Sequence, residues 1–249
     1  MSAPVYVLLG GTGGIGAPLA RHLASGGARV VLGARDADRL GALADETGGK
    51  AFTLDATDAN AVSGLIDAAL DEHGRIDGAV NLVGSILLKP AHATSPEEFD
   101  ETLTLNLKTA FYLVRAAAKA MQGNRDPAGG SIVLMSSVAG RYGLSNHEAI
   151  AAAKAGVEGL VRAAAATYAP KGVRVNAVAP GLVRTPLAGR LVATEQAVEA
   201  SAKLHPLGRI GEPDDLTDAL AFLLEREASG WVTGQTLSVD GGFATVRPR

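Results

Sequence analysis

Five glycines fall within seven residues, Gly10-Gly11-Thr12-Gly13-Gly14-Ile15-Gly16, directly after the apolar run Val5–Leu9 and directly before the helical pattern Ala17–Ser25. Glycine lets a backbone turn sharply and approach a pyrophosphate with no Cβ in the way. The helix that follows turns free N–H groups and a partial positive charge toward the phosphates. Alone, such a turn also serves as a tight strand-to-helix junction in any α/β fold. Its place between an apolar strand and a helix is the setting that dinucleotide binding requires. The unit from Val5 to Ser25 therefore reads as a dinucleotide cradle lined by Gly10, Thr12, Gly13, Gly14, Ile15 and Gly16.

Short apolar runs alternate with longer helical patterns through the rest of the chain. Strands are expected at Val5–Leu9, Arg29–Ala34, Ala51–Leu54, Gly78–Val83, Ser131–Met135 and Val173–Val178, with Thr236–Val239 as a seventh. Helices are expected at Ala37–Glu46, Ala59–His73, Pro96–Met121, Glu148–Ala169 and Pro213–Leu224. Strands with few polar positions, each followed by a helix, imply parallel βαβ units with right-handed crossovers. Hydrophobic residues make up 47% of the chain and aromatics 4%. A core of Ala, Val, Leu and Gly suits a parallel sheet between closely packed helices. No linker, repeat or low-complexity stretch is visible in the 249 residues. The expected fold is one α/β domain over 1–249, a Rossmann-type doubly wound parallel sheet of about seven strands with helices on both faces. Thr185–Gly211 is one long irregular or loosely helical segment. It follows a strand C-terminus, where loops that cover substrates sit, and residues 185–211 are expected to cover one here.

The residues at the end of the second strand select between cofactors. An acid there would hydrogen-bond the ribose hydroxyls of NAD(H). The chain has Gly33-Ala34-Arg35 instead. Arg35, with Arg39, suits a 2′-phosphate, so NADP(H) is favoured over NAD(H). Asp36 is the alternative ribose acid if the strand ends later, and otherwise caps the next helix.

Net charge is −3, which gives no reason to expect nucleic acid or an anionic membrane as partner. No apolar run approaches the roughly 20 residues of a membrane span. The chain has no cysteine, which excludes disulfides, thiolate nucleophiles and thiolate metal sites, and no metal is expected. Met1-Ser2-Ala3-Pro4 runs straight into the first strand, leaving no room for a signal peptide and pointing to the cytoplasm.

Further segments stand in a fixed order. Gly10, Gly14 and Gly16 have three residues between the first two glycines and one before the third. Leu54-Asp55-Ala56-Thr57-Asp58 follows the third strand and Asn81-Leu82-Val83-Gly84 ends the fourth. Asn106, Ser136-Ser137-Val138-Ala139-Gly140, Lys154 and Pro180-Gly181-Leu182-Val183-Arg184-Thr185 come next, then Asp240-Gly241-Gly242. Together these resemble the short-chain dehydrogenase/reductase family over almost the whole chain. The resemblance implies an NAD(P)-dependent oxidoreductase, a homotetramer or dimer, acting on a small molecule. It implies that Asp55, beside Ala56, contacts adenine, and that Asn81, Val83 and Gly84 line the cofactor in a variant of the family's Asn-Asn-Ala-Gly. It also puts Pro180, Gly181, Val183 and Thr185 at the nicotinamide, Ser137 in the place of the catalytic serine, and Asn106 at a water near Lys154.

One motif departs from the family. Its Tyr-x-x-x-Lys places the tyrosine 13 residues after the serine, which falls on Ile150, with Lys154 in place. Isoleucine donates no proton at any pH. Lys154 keeps the family role of holding the nicotinamide ribose. His147, Ile150 and Lys154 share one helix face by their spacing, and Ser145 with Glu148 has the spacing of a capping box. His147 is thus a candidate to orient or protonate a substrate oxygen, as a neutral imidazole if the helix N-terminus lowers its pKa. The related bacterial enoyl-acyl carrier protein reductases have a tyrosine at the position of His147. Its bland alternative is a solvent-facing histidine at a helix start. Tyr142 is a second candidate acid, or packs over the substrate pocket. Three functions follow: an NADP(H)-dependent oxidoreductase for a small carbonyl, alcohol or activated alkene; a cofactor-binding protein with little redox activity; or a non-redox enzyme on the same scaffold.

Overall fold

A computed structural model describes residues 3–247. Met1 and Ser2 of the short lead-in to the first strand lie outside the described residues. Seven strands form one parallel sheet: β1 (Val5–Leu9), β2 (Arg29–Ala34), β3 (Lys50–Thr53), β4 (Gly78–Asn81), β5 (Gly130–Met135), β6 (Val173–Pro180) and β7 (Thr236–Val239). Their order is β3-β2-β1-β4-β5-β6-β7. Every residue of β1, β4 and β5 is buried, which is why these strands read as continuous apolar runs rather than alternating ones.

Helices cover both faces. On one face α3 (Ala59–His73), α5 (Thr109–Met121) and α6 (Glu148–Tyr168) bury Leu65, Leu113 and Val157 against Val7, Leu134 and Val175. On the other, α1 (Gly16–Ser25), α2 (Ala37–Thr47) and α8 (Pro213–Leu224) bury Leu19, Leu40 and Leu220 against Leu8, Leu32 and Val133. Odd and even positions of β1 thus feed opposite cores, as the period of two in a strand demands.

The chain runs outward from β1 to β3, then returns to pair β4 with the other side of β1. At that reversal the connections leave in opposite directions and open a crevice at the strand C-termini, where α/β sheets bind ligands.

Three expectations on elements need correction. The helix expected over Pro96–Met121 is α4 (Pro96–Leu103), a π turn over Thr104–Lys108, and then α5. The wide turn bulges the backbone where Asn106 enters the site, the usual place for such a turn. The segment Thr185–Gly211 is more regular than expected: it holds a 3-10 turn at Pro186–Ala188 and α7 (Glu195–Ala202), capped by the Thr194 hydroxyl. The capping box of Ser145 and Glu148 does not form. Asn146 takes φ +64, which turns the chain before the helix and makes His147 the residue preceding its first turn. The last described helix, α9 (Arg226–Ser229), is a single turn.

Candidate active site

The cradle folds as its glycines require. Gly10 has φ +86, and a Cβ on Gly16 would lie 2.6 Å from the Gly10 carbonyl and 2.7 Å from that of Gly11. The carbonyl of Gly33, at the end of β2, accepts from the N–H groups of Gly10 and Gly11 at 2.8 and 3.2 Å. The N–H groups of Thr12, Gly14 and Ile15 donate to no protein group among the described residues. Helix α1 has no side-chain cap and no acid in its first turn, so its positive end is left for an anion. These features fit a pyrophosphate: free donors, room where a side chain would intrude, and no competing carboxylate.

Asp36 caps α2, accepting from the Arg39 N–H at 3.0 Å. Arg39 donates to the Thr12 carbonyl at 2.8 Å, and Arg35 is exposed beside it. Asp55 accepts from the Thr57 N–H and hydroxyl at 2.9 and 2.8 Å. These bonds hold its carboxyl below the usual range. Ala56 is buried against the core. Asn81 is committed internally: it donates to the Thr109 hydroxyl at 3.0 Å and accepts from the Val83 N–H at 3.0 Å. These bonds shape the exit of β4 through Val83.

That exit joins the two halves of the site. A Cβ on Gly10 would touch the Leu82 carbonyl carbon and Val83 N at 3.1 Å. One on Gly84 would meet Asn106 Oδ1 at 2.9 Å and Lys154 Nζ at 3.6 Å. Asn106, 1% exposed, donates to the Ser85 hydroxyl and the Thr102 carbonyl at 2.9 Å and accepts from the Ser85 N–H at 3.2 Å. Lys154, 7% exposed, donates from Nζ to the Met135 carbonyl at 2.9 Å. It has no carboxylate partner among the described residues, and burial lowers its pKa to about 8.

Ser136 and Ser137 follow directly on β5 and differ in burial. Ser136 points inward, donating to Glu158 at 2.9 Å. Arg141 grips the same carboxylate through Nε at 2.8 and 2.9 Å. Ser137 is partly exposed, and its Oγ accepts from the Ala139 N–H at 3.2 Å, leaving the O–H to donate elsewhere. Ile150 lies one turn before Lys154 on α6 and is buried. His147 is half-buried, with Nδ1 bonded to the Ser145 carbonyl at 2.7 Å. A carbonyl only accepts, so Nδ1 carries a proton and donates it there, leaving Nε2 uncommitted among the described residues. Tyr142 is largely exposed and packs edge-on against Phe243 at 5.6 Å.

At the far side, Val183 bridges to Gly211, and the Thr185 hydroxyl caps the turn that follows. A Cβ on Gly14 would lie 2.9 Å from Thr185 Cβ, so this segment rests on the cradle. Sequence reasoning missed His205 as a site residue. It is 4% exposed, and its Nε2 accepts from the Leu182 N–H at 3.2 Å while Nδ1 donates to the Ser201 carbonyl at 2.8 Å. It thereby fixes the bend after Pro180 and Gly181. Ser85 and the Arg141–Glu158 pair were missed as well. Their partners are distant in sequence, so no local pattern marks them.

Among the described residues no helix is long and apolar enough to cross a membrane. The model of the family described as enoyl-(acyl carrier protein) reductase matches residues 10–244. The cis-4-hydroxycyclohexanecarboxylate dehydrogenase of Sinomonas cyclohexanicum is 38% identical over 247 residues, covering 97% of each chain. A short-chain type dehydrogenase/reductase from Mycobacterium ulcerans superposes with TM-score 0.91 at 30% identity, covering 98% of this chain and 91% of its own. ElxO with NADP bound superposes with TM-score 0.89 at 27% identity, covering 97% of this chain and 99% of its own. Fold, cradle and relatives agree, and the chain belongs to the short-chain dehydrogenase/reductase family of oxidoreductases.

Proposed function

We propose that the protein is an NADP(H)-dependent oxidoreductase acting on a small carbonyl or alcohol, or on an activated alkene. The contiguity of cradle and lysine carries this reading: Leu82–Gly84 touches Gly10 on one side and Asn106 with Lys154 on the other. When bound, the nicotinamide supplies or accepts the hydride. The free N–H groups of the glycine turn hold the pyrophosphate, and Asp55 and Ala56 flank the adenine. Arg35, with Arg39, pairs with the 2′-phosphate. Pro180, Gly181, Val183 and Thr185 hold the nicotinamide end, and Lys154 its ribose. Ser137 donates its O–H to the substrate oxygen. His147 orients the hydroxyl form of that oxygen through Nε2, and residues 185–211 cover the substrate.

Ile150 stands where the family's tyrosine lies, so the proton comes from another group. That same residue favours a second reading, a cofactor-binding protein without redox turnover or a non-redox enzyme on this scaffold. As one domain the chain works in the cytoplasm, where reduced nicotinamide is regenerated, as a homodimer or homotetramer.

A panel of ketones, aldehydes and enones, followed by loss of reduced-nicotinamide absorbance, tests the reading. Turnover with NADPH on at least one member is expected. Binding without turnover across the panel selects the second reading, and turnover with no net NADPH change selects the non-redox enzyme. Arg35→Ala is expected to weaken NADPH binding about tenfold or more, the worth of a charge-assisted hydrogen bond, while sparing NADH. A parent that binds both cofactors equally would sink the preference.

A further inference from the structure

We propose that Lys154 itself gives the proton to the substrate oxygen, a catalytic role that rests on the oxidoreductase reading above. Position 150 offers only hydrocarbon, and it is buried. His147 precedes the first turn of α6, about two turns before Lys154, and its Nδ1–H is spent on the Ser145 carbonyl. Tyr142 is exposed and held against Phe243 on the surface. Ser137 can donate a hydrogen bond, but a hydroxyl is far too weak an acid to part with its proton.

Lys154 differs from all of these. Its ammonium carries three N–H donors, and the structure satisfies one of them, through Met135. It is more than nine-tenths buried and has no salt-bridge partner among the described residues. The groups packed around it are uncharged or already paired. The π turn presents the Asn106 amide near Nζ. The turn after β5 places the Ser136 hydroxyl on the Lys154 carbonyl at 3.3 Å and Gly140 against its Cβ. Glu158, one turn further along α6, is taken by Arg141 and Ser136. Nothing anchors the positive charge, and desolvation alone lowers its pKa to about 8. An acid of that strength is matched to proton transfer near neutral pH, where Brønsted behaviour favours it.

In the reducing direction the hydride adds to the carbonyl carbon and the C=O π pair moves to oxygen. One Nζ–H bond of Lys154 breaks as an O–H bond forms. A bound nicotinamide would be oxidised in supplying that hydride; the carbonyl becomes an alcohol, and Lys154 is left as the neutral amine. Solvent then returns its proton. Oxidation runs the same steps in reverse and needs the neutral amine first.

The test uses the full chain with NADPH and a ketone or aldehyde that the parent turns over. Lys154→Arg keeps a cation for the ribose, but a guanidinium does not surrender a proton near neutral pH. The variant is expected to bind NADPH within about fivefold of the parent while kcat falls about 100-fold or more. The parent's kcat for reduction is expected to be level below pH 8 and to fall above it. That break should vanish in Lys154→Arg. Primary alkylamines added to Lys154→Ala should restore turnover in proportion to their acidity. Heteronuclear NMR of the parent should titrate the Lys154 Nζ near pH 8 with no substrate present, a readout independent of turnover and of how the variants fold.

A Lys154→Arg enzyme with parental kcat overturns the proposal and leaves the oxidoreductase reading intact. So does a parent rate that is flat between pH 6 and 10, or an Nζ that titrates at its ordinary value. A parent that binds NADPH yet turns over no member of the panel removes both together.

Discussion

Burial opposes the ammonium of Lys154, and the penalty belongs to the folded state alone. The folded pKa of about 8 lies below the ordinary 10.5, so below pH 8 both folded and unfolded chains carry the proton and the full penalty is felt. As pH rises from 8 toward 10.5 the folded chain has released the proton while the unfolded chain still binds it, and the penalty fades. A tenfold change in proton affinity is worth about 1.4 kcal/mol, which makes the penalty about 3 kcal/mol at most. Lys154→Met, similar in length and apolar, is therefore expected to raise stability by up to about 3 kcal/mol at pH 6, read from urea midpoints. At pH 10 the gain should be much smaller. An equal gain at both pH values would show that the gain comes from packing, not from charge. The residue is kept at the expense of stability, the pattern expected of a site residue.

At the scale of elements, the strand-to-helix junction and the long helix α6 make opposite demands on glycine. Gly16→Ala would drive a Cβ into two backbone carbonyls; neither can swing aside, so the turn must open. A loss of about 1–3 kcal/mol is expected, together with loss of NADPH binding by titration. Gly159, inside α6, has nothing within 4 Å of its Cβ position, and Gly159→Ala is expected to stabilise by about 0.5–1 kcal/mol. Two losses, or two gains, would contradict this assignment of roles.

The same contrast explains what was legible in the sequence. β1, β2 and β7, together with α3 and α8, have the boundaries expected from their apolar runs and helical patterns. Asp36 and Asp58 cap α2 and α3 through their own side chains, a local signal. β6 runs on to Pro180, two residues past its apolar run, because β7 supplies partners there. The π turn at Thr104–Lys108 left no mark in the periodicity, since its cause is the placement of Asn106 against Ser85 and not any local preference. In the candidate site, Gly10–Gly16, Asn106, Ser137 and Lys154 stand out by motif and spacing alone. His205 and the Glu158–Arg141–Ser136 network were not, because each joins residues that meet through the fold alone.

For the whole molecule, the outermost strand on one side is the feature most open to association. β7 pairs with β6 on one edge, and among the described residues no strand pairs with its other edge. Leu237 on β7 and Phe222 on α8, which packs beside it, are each about 40% exposed, and Trp231 just before β7 is fully exposed. Apolar area of this kind beside a sheet edge suits burial in a homo-oligomer. Light scattering during gel filtration is expected to give a multiple of 25.2 kDa, and Trp231→Glu to shift the protein toward smaller species. A parent that elutes as one 25.2 kDa chain would refute the assembly.

The strand order also bears on how the chain comes off the ribosome. No two sequential strands form a hairpin, and the central pairing sets Tyr6 of β1 against Gly78 of β4. The glycine turn is translated well before one wall of its crevice, Leu82 to Gly84. Until then β1 has an unsatisfied flank, and such non-local pairings form slowly and leave strand edges exposed meanwhile. The nascent chain holds its nucleotide-binding loop early and its nucleotide-binding site late. In the finished sheet β2 covers only the opposite edge of β1, so the flank that β4 takes stays open until β4 is made.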